Sequence, residues 1–251
     1  MNIIKTFTSP DLPLGDVLNK VLEGKTQIPE FQRGWVWDDD RIKSLLASIS
    51  LSYPIGALMM LKDGQTKVRF KTRLVEGVEL ATIPHPELLI LDGQQRLTSL
   101  FQALISGKPA DTRDIRGKSI KRWYYIDIEK ALNPAIDRED AIISLPEEKI
   151  LRNFRGEVIA DYSTPEKEYD AQLFPFRNIF SSSNWRAGFN KFHQYDGEKV
   201  ALFDRFEQEI IKRFEQYQVP VIQLEAETPK EAVCQVFEKV NTGGVALTVF
   251  E

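Results

Sequence analysis

Glu87-Leu-Leu-Ile-Leu-Asp-Gly-Gln-Gln-Arg-Leu-Thr-Ser-Leu-Phe-Gln-Ala-Leu-Ile-Ser-Gly107 joins two periodicities at one point. Glu87 to Leu91 is a short apolar run that reads as a strand. After Asp92-Gly-Gln-Gln-Arg96, the residues Leu97, Leu100, Phe101, Leu104 and Ile105 recur at helical spacing, and Gly107 stops them. A strand, a tight turn and a helix therefore follow one another without a linker. Unpaired backbone N–H groups and the helix dipole at such a junction favour an anion. Gly93 permits close backbone approach, Gln94 and Gln95 can hydrogen-bond a phosphate or a base, and Arg96 can grip phosphate in a bidentate way. Asp92 can hold Mg²⁺ or orient a water. The same five residues also allow a plain alternative, in which Asp92 caps the helix and Arg96 pairs with a surface carboxylate.

Outward from this junction, Leu14 to Gly24 places Leu14, Val17, Leu18, Val21 and Leu22 on one helical face. Asp38 to Asp40 supply capping carboxylates for a second helix with Ile42, Leu45, Leu46 and Ile49 inward, which Tyr53-Pro54 stops. Ile55 to Leu61 reads as an apolar strand. Lys67, Arg69, Lys71 and Arg73 alternate with Val68, Phe70, Thr72 and Leu74, the period-two pattern of a strand with one basic face. Arg122 to Ile128 and Ala141 to Leu145 predict further strands, and no element is predicted over Glu147 to Asn190. A long helix is predicted through Val200, Phe203, Phe206, Ile210, Ile211, Phe214 and Tyr217, then a strand over Val219 to Leu224. Thr228-Pro-Lys-Glu231 opens a last helix that Asn241-Thr-Gly-Gly244 closes, as a C-cap or as a backbone nest for an anion. The pattern predicts an α+β fold, a mixed sheet covered by helices with a mostly helical C-terminal subdomain.

The 251 residues carry 33 Lys+Arg against 37 Asp+Glu, and 42% are hydrophobic. That composition supports a packed core and excludes a disordered or low-complexity chain. No apolar run approaches a bilayer-spanning length, and the opening residues lack a signal-peptide core, so a cytoplasmic location and no membrane partner are expected. The lone Cys234 can form no internal disulfide and reads as a structural thiol; with only His85 and His193, a zinc centre is not expected. Mild acidity argues against a chain that coats nucleic acid indiscriminately, yet two local clusters, the Lys67 to Arg73 face and Arg113, Arg116, Lys118, Lys121 and Arg122, are candidate DNA backbone contacts or solvated faces. Trp35 and Trp37 suit base stacking or, more commonly, core packing.

Taken in order, Ile28-Pro-Glu-Phe-Gln-Arg33, Trp37 with the capped helix after it, Pro54-Ile-Gly56, Leu91 to Leu100 and Phe237-Glu-Lys-Val-Asn-Thr-Gly-Gly244 resemble the GmrSD-type restriction endonuclease N-terminal domain, the "DGQQR" domain, itself distantly similar to ParB and sulfiredoxin. The resemblance spans about residues 10 to 251. It implies a ParB/sulfiredoxin-like core that binds and hydrolyses a nucleoside triphosphate with Mg²⁺, within phage-defence proteins that cut modified DNA. By resemblance, Asp92, Gln95 and Arg96 act on the triphosphate, and Asp92 also holds the metal. Gln32, Arg33, Gly93 and Gln94 bind the nucleotide, and Asn241, Thr242, Gly243 and Gly244 close over it. Residues 1–146 would form the nucleotide-binding core and residues 147–251 the helical extension. The family's DNA-cutting part is a separate His-Asn-His nuclease domain whose motif is not found in these residues, so a nuclease partner is expected, with a homodimer as a further possibility. A ParB-like DNA-sensing module with a vestigial phosphate site, and phosphotransfer to a protein or small molecule, are the alternative readings. The final Thr248-Val-Phe-Glu251 has the form of a capping box with no helix after it, which suggests a chain cut before its next domain.

Overall fold

A strand with no polar alternation needs both faces covered. Leu88, Leu89, Ile90 and Leu91 are all buried, and their strand lies inside a sheet with a neighbour on each side. The computed structural model describes residues 7–63 and 70–241. In chain order its elements are β1 (Phe7–Thr8), β2 (Asp11–Pro13), α1 (Leu14–Leu22), β3 (Thr26–Pro29), α2 (Asp39–Ser50), β4 (Leu58–Lys62), β5 (Thr72–Leu74), β6 (Leu88–Asp92) and α3 (Gln94–Leu104). There follow β7 (Ala110–Arg113), β8 (Ser119–Asp127), α4 (Ile128–Leu132), β9 (Ile142–Pro146), β10 (Ile150–Arg152), β11 (Val158–Asp161), α5 (Pro165–Asp170), β12 (Leu173–Pro175), α6 (Ser183–Phe192), α7 (Gly197–Phe206), α8 (Lys212–Glu215), β13 (Gln218–Leu224) and α9 (Lys230–Asn241). The fold is α+β with a mixed sheet, as the sequence pattern predicts.

The chain divides into two units, each interrupted in sequence. The first takes the described residues of Met1–Trp35, Gly56–Thr98 and Gln218–Glu251, the second Val36–Ile55 and Ser99–Tyr217. The boundary expected at residue 146 falls inside the second unit.

In the first unit the strand order is β1-β13-β4-β6-β3-β5, with β2 also paired to β13. β13 runs parallel to β4, with Val221 opposite Leu58, and β3 parallel to β6; the other pairings are antiparallel. Leu61, Leu89, Leu91 and Leu224 from the sheet pack with Val233 and Phe237 of α9. Leu14, Val17, Leu18 and Val21 are the buried stripe of α1. The predicted strand from Lys67 is described only at Thr72–Leu74; Lys67 and Arg69 lie outside the described residues, as do Thr242, Gly243, Gly244 and Thr248 to Glu251.

In the second unit β8 is flanked by β7, β9 and β12, and β10 pairs with β11 in a separate hairpin. The Asp38 carboxylate caps α2 by accepting the Arg41 N–H at 2.9 Å. The predicted long helix is α7 continuing through a π turn at Glu207–Ile211 into α8. Residues 147 to 190, for which no element is predicted, carry β10, β11, α5, β12 and α6. Most of these are three to six residues long, too short for hydrophobic periodicity to register. Behind them Phe174, Trp185, Phe189, Phe203 and Phe206 form an aromatic core, with Trp185 stacked on Phe189 at 5.2 Å. Glu168 is buried there and accepts from Tyr125 Oη at 2.6 Å, Lys149 Nζ at 3.2 Å, Arg177 Nη2 at 3.3 Å and Trp185 Nε1 at 3.4 Å. Burial, and then the Glu168 charge, push the Tyr125 hydroxyl well above its ordinary value. No helix among the described residues is long and apolar enough to cross a membrane.

Candidate functional site

β6 ends at Asp92 and α3 starts at Gln94, so Gly93 alone makes the corner. Its φ is +87°, and a Cβ there would sit 2.3 Å from Leu58 Cδ2 and 3.2 Å from Arg96 Nη2. Only glycine has both the backbone freedom and the room. Its carbonyl accepts the first helical bond, from the Leu97 N–H at 2.9 Å. The N–H groups of the first turn therefore point out of the helix, beyond the end of the strand.

Against this corner lies the extended segment that follows β3. Gln32 Nε2 donates to the Ile90 carbonyl and, at 3.3 Å, to that of Leu91. In return Gln94 Nε2 donates to the Arg33 carbonyl at 2.9 Å and Gln95 Nε2 to that of Gly34 at 3.2 Å. Gln94 and Gln95 are 5% and 8% exposed, so these amides are buried in the wall. Buried amides must be paired, and backbone carbonyls of a segment that joins no ladder are suitable acceptors. The three glutamines thereby staple the Gln32-Arg33 segment to the Asp92-Arg96 corner. Sequence reasoning assigned these side chains to a ligand; their amide N–H groups hold protein backbone.

Arg96 is half-buried. Its Nη2 donates to the Ala57 carbonyl at 2.9 Å and meets Asp92 Oδ2, four positions earlier at the end of β6, at 3.3 Å. Gly56 lies against the guanidinium, where a Cβ would come 2.6 Å from Arg96 Nη1, and its φ is +84°. Gly56 and Ala57 are thus part of the site, marked in the sequence only by Pro54-Ile-Gly56. Arg33 is exposed, and its carbonyl also accepts Arg73 Nη2 at 3.3 Å.

Phe31, next to Gln32, packs edge-on against Phe237 at 4.9 Å and Phe70 at 5.6 Å. Asn241, the last described residue of α9, follows Phe237 by four positions, about one helical turn. Residues 242 to 244 lie outside the described residues.

Two of the basic-strand candidates have acidic partners: Lys71 pairs with Glu30 at 3.1 Å and Arg73 with Glu76 at 2.6 Å. Glu76 also accepts the Trp35 N–H at 3.1 Å. Arg73 therefore braces the segment that carries Arg33. Cys234 is half-buried.

Asp92, Gly93, Gln94, Gln95, Arg96, Gln32 and Arg33 are thus brought together at one edge of the first unit's sheet. The arrangement offers an anion outward-facing helix N–H groups, the Arg96 guanidinium and the exposed Arg33, beside one partly exposed carboxylate. Among the described residues no group of three or more His, Cys, Asp or Glu side chains could hold a metal by themselves. A single carboxylate suits Mg²⁺ that is held mostly by phosphate oxygens and water.

A family model described as GmrSD restriction endonuclease, N-terminal domain, matches residues 14–251. An uncharacterized protein of Methanocaldococcus jannaschii, MJ0686, is 27% identical over 244 residues, which are 94% of this chain and 40% of that protein. The chain therefore spans about two fifths of the length of this relative. With a match that runs from the first helix to the final residue, the chain belongs to the family of GmrSD restriction endonuclease N-terminal domains.

Proposed function

We propose that this chain is the nucleotide-binding regulatory domain of a modification-dependent restriction or phage-defence protein, that it hydrolyses a nucleoside triphosphate, and that a separate His-Asn-His nuclease domain cuts the DNA. The observation that carries the reading is the reciprocal stapling of Gln32, Gln94 and Gln95. It aligns Arg33, Arg96, Asp92 and the first turn of α3, while the Arg96 guanidinium itself reaches Asp92 and the Ala57 carbonyl. The residues fit a triphosphate with one divalent ion: Arg33 and Arg96 oppose phosphate charge, the helix N–H groups donate to phosphate oxygens, and Asp92 is the group to hold Mg²⁺. When bound, Mg²⁺ supplies charge neutralisation to the phosphates. Gly93 and Gly56 let the backbone and the Arg96 guanidinium lie close together. Gln95, whose Nε2 is held by the Gly34 carbonyl, keeps the corner from opening, beside the catalytic role that the family motif implies for it. Occupancy of the site then biases how the domain engages DNA.

Isothermal titration with ATP, GTP, CTP and UTP in the presence of Mg²⁺ tests the reading. Binding of at least one nucleotide is expected, weakened about 10-fold or more in Arg33→Ala, whose side chain is exposed and holds no fold together. Failure of the wild-type chain to bind any of the four overturns it.

A further inference from the structure

Glu168 has more partners than a buried carboxylate needs. Its Oε1 alone accepts Tyr125 Oη at 2.6 Å, Lys149 Nζ at 3.2 Å and Arg177 Nη2 at 3.3 Å, and Oε2 accepts Trp185 Nε1 at 3.4 Å. One cation neutralises the charge. The other leaves the cluster with a positive charge in excess, since among the described residues neither Lys149 nor Arg177 pairs with another carboxylate. Glu147, two positions before Lys149, pairs with Lys121 at 3.4 Å instead.

The excess charge is held where it is disfavoured. The Lys149 and Arg177 side chains are only 17% and 27% exposed, and they lie over one face partner, the Trp123 ring, at 5.3 and 5.1 Å from its centroid. Burial, and then the Arg177 charge, pull the Lys149 ammonium below its ordinary value against the opposite pull of Glu168. The backbone is no kinder to a lysine here. Lys149 has φ of +59°, with its N–H on the Pro146 carbonyl at 2.8 Å and its carbonyl accepting the Tyr162 N–H at 2.9 Å. Glycine or asparagine adopts that left-handed conformation with less strain. Arg177 already supplies the ion pair and the ring contact, so neither Glu168 nor the turn calls for a second cation at position 149.

Both cations also keep donors in hand. Lys149 Nζ bonds Glu168, and Arg177 bonds Glu168 and, through Nη1, Tyr125 Oη at 3.3 Å; no described residue accepts their remaining N–H groups. Two half-buried cations on a common aromatic floor, each partly open to water, suit a compact oxyanion, because charge-assisted hydrogen bonds strengthen as water is excluded. The rim limits its size. Glu147 and Glu148 stand exposed in the turn that Lys149 closes, where they repel an extended polyanion but leave room for one small group.

We infer that Lys149 and Arg177, laid on the Trp123 ring, form an anion site that takes one small oxyanion of the phosphate class and shares it between the two cations. Every residue of this site belongs to the second unit, so it goes beyond the nucleotide reading and does not depend on it.

The test is nuclear magnetic resonance of the ¹⁵N-labelled chain, read at the Trp123 indole N–H, which donates to the Glu147 carbonyl at 3.1 Å and is assigned with Trp123→Phe. Sodium phosphate is titrated against sodium chloride at equal ionic strength. A saturable shift of this signal with phosphate and not with chloride is expected. Lys149→Asn removes the ammonium and suits the left-handed φ. It should weaken phosphate binding about 10-fold or more while its melting temperature equals or exceeds that of wild type. Lys149→Arg keeps the charge and should keep the shift. If both cations serve the fold alone, the outcome reverses: Lys149→Asn melts lower or fails to fold, and phosphate moves the Trp123 signal no more than chloride does. Either result overturns the inference. A nucleoside monophosphate and a DNA duplex run in parallel separate the sources: a shift with the monophosphate supports a phosphate ester as occupant, and a shift with duplex alone overturns the small-oxyanion assignment. Lys149→Asn should titrate with nucleoside triphosphates as wild type does, so failure here and failure of the nucleotide reading are distinguishable.

Discussion

At the Asp92–Arg96 corner the side chains removed from water are amides, whereas at the tips of the β7–β8 and β10–β11 hairpins the side chains left in water are hydrocarbon. Gln94 and Gln95 are buried, and Ile115 and Phe154 stand almost fully exposed. The difference lies in what each departure from ordinary burial does for the fold. Every buried amide donates to a named backbone carbonyl, so the corner would be poorer in hydrogen bonds without it. Neither exposed side chain gives the fold a buried contact in return. Polar burial at the corner is a positioning device, whereas the apolar side chains at the tips add nothing to the core.

Gly93→Ala should strike the comparison hardest. It meets both a left-handed φ and Leu58 at 2.3 Å, and Leu58 is itself buried. A loss of about 3 kcal/mol in denaturant unfolding is expected. Next comes Gln94→Ala, which takes from the Arg33 carbonyl its shorter hydrogen bond and leaves it only Arg73 Nη2 at 3.3 Å. It should cost about 1–3 kcal/mol, and wild-type stability in this variant would show that the amide does not hold the segment. Gly117→Ala and Gly156→Ala share the positive φ of Gly93 but meet nothing within 4 Å. Each should cost only about 1 kcal/mol, so the gap between them and Gly93→Ala measures the close approach at the corner. Smallest of all, Ile115→Ser and Phe154→Ser should leave stability within about 0.5 kcal/mol of wild type by thermal melting. A larger loss would mean that the tips serve the fold after all and would erase the contrast.

The same contrast marks how far sequence reasoning reaches. The helices at Leu14–Leu22 and Asp39–Ser50, the Asp38 cap and the junction at Asp92-Gly93 are written in residues a few positions apart, and such signals can be read locally. The Asp-Gly-Gln-Gln-Arg and Gln-Arg motifs were likewise visible as a pair worth watching. Their geometry was not, because nothing at Gln94 says that its amide will reach a carbonyl 61 positions earlier. Nor does the basic alternation from Lys67 reveal that Arg73 will find Glu76 and the Arg33 carbonyl, since a period of two specifies a face and not its partners.

By itself the sequence determined the types of the longer elements outside residues 147–190, the capped helix starts, the need for glycine at the corner and the family pattern along nearly the whole chain. Only the tertiary structure decided that β13 would enter the sheet beside β4, about 160 residues away, that the two units would interrupt each other along the chain, and that two ordinary turns would present the most exposed apolar side chains described. The physical reason is range: caps, turns and periodicity act between neighbours on the backbone, whereas strand order, amide partners and exposure arise from pairings whose loop-closure cost only the whole folded chain repays.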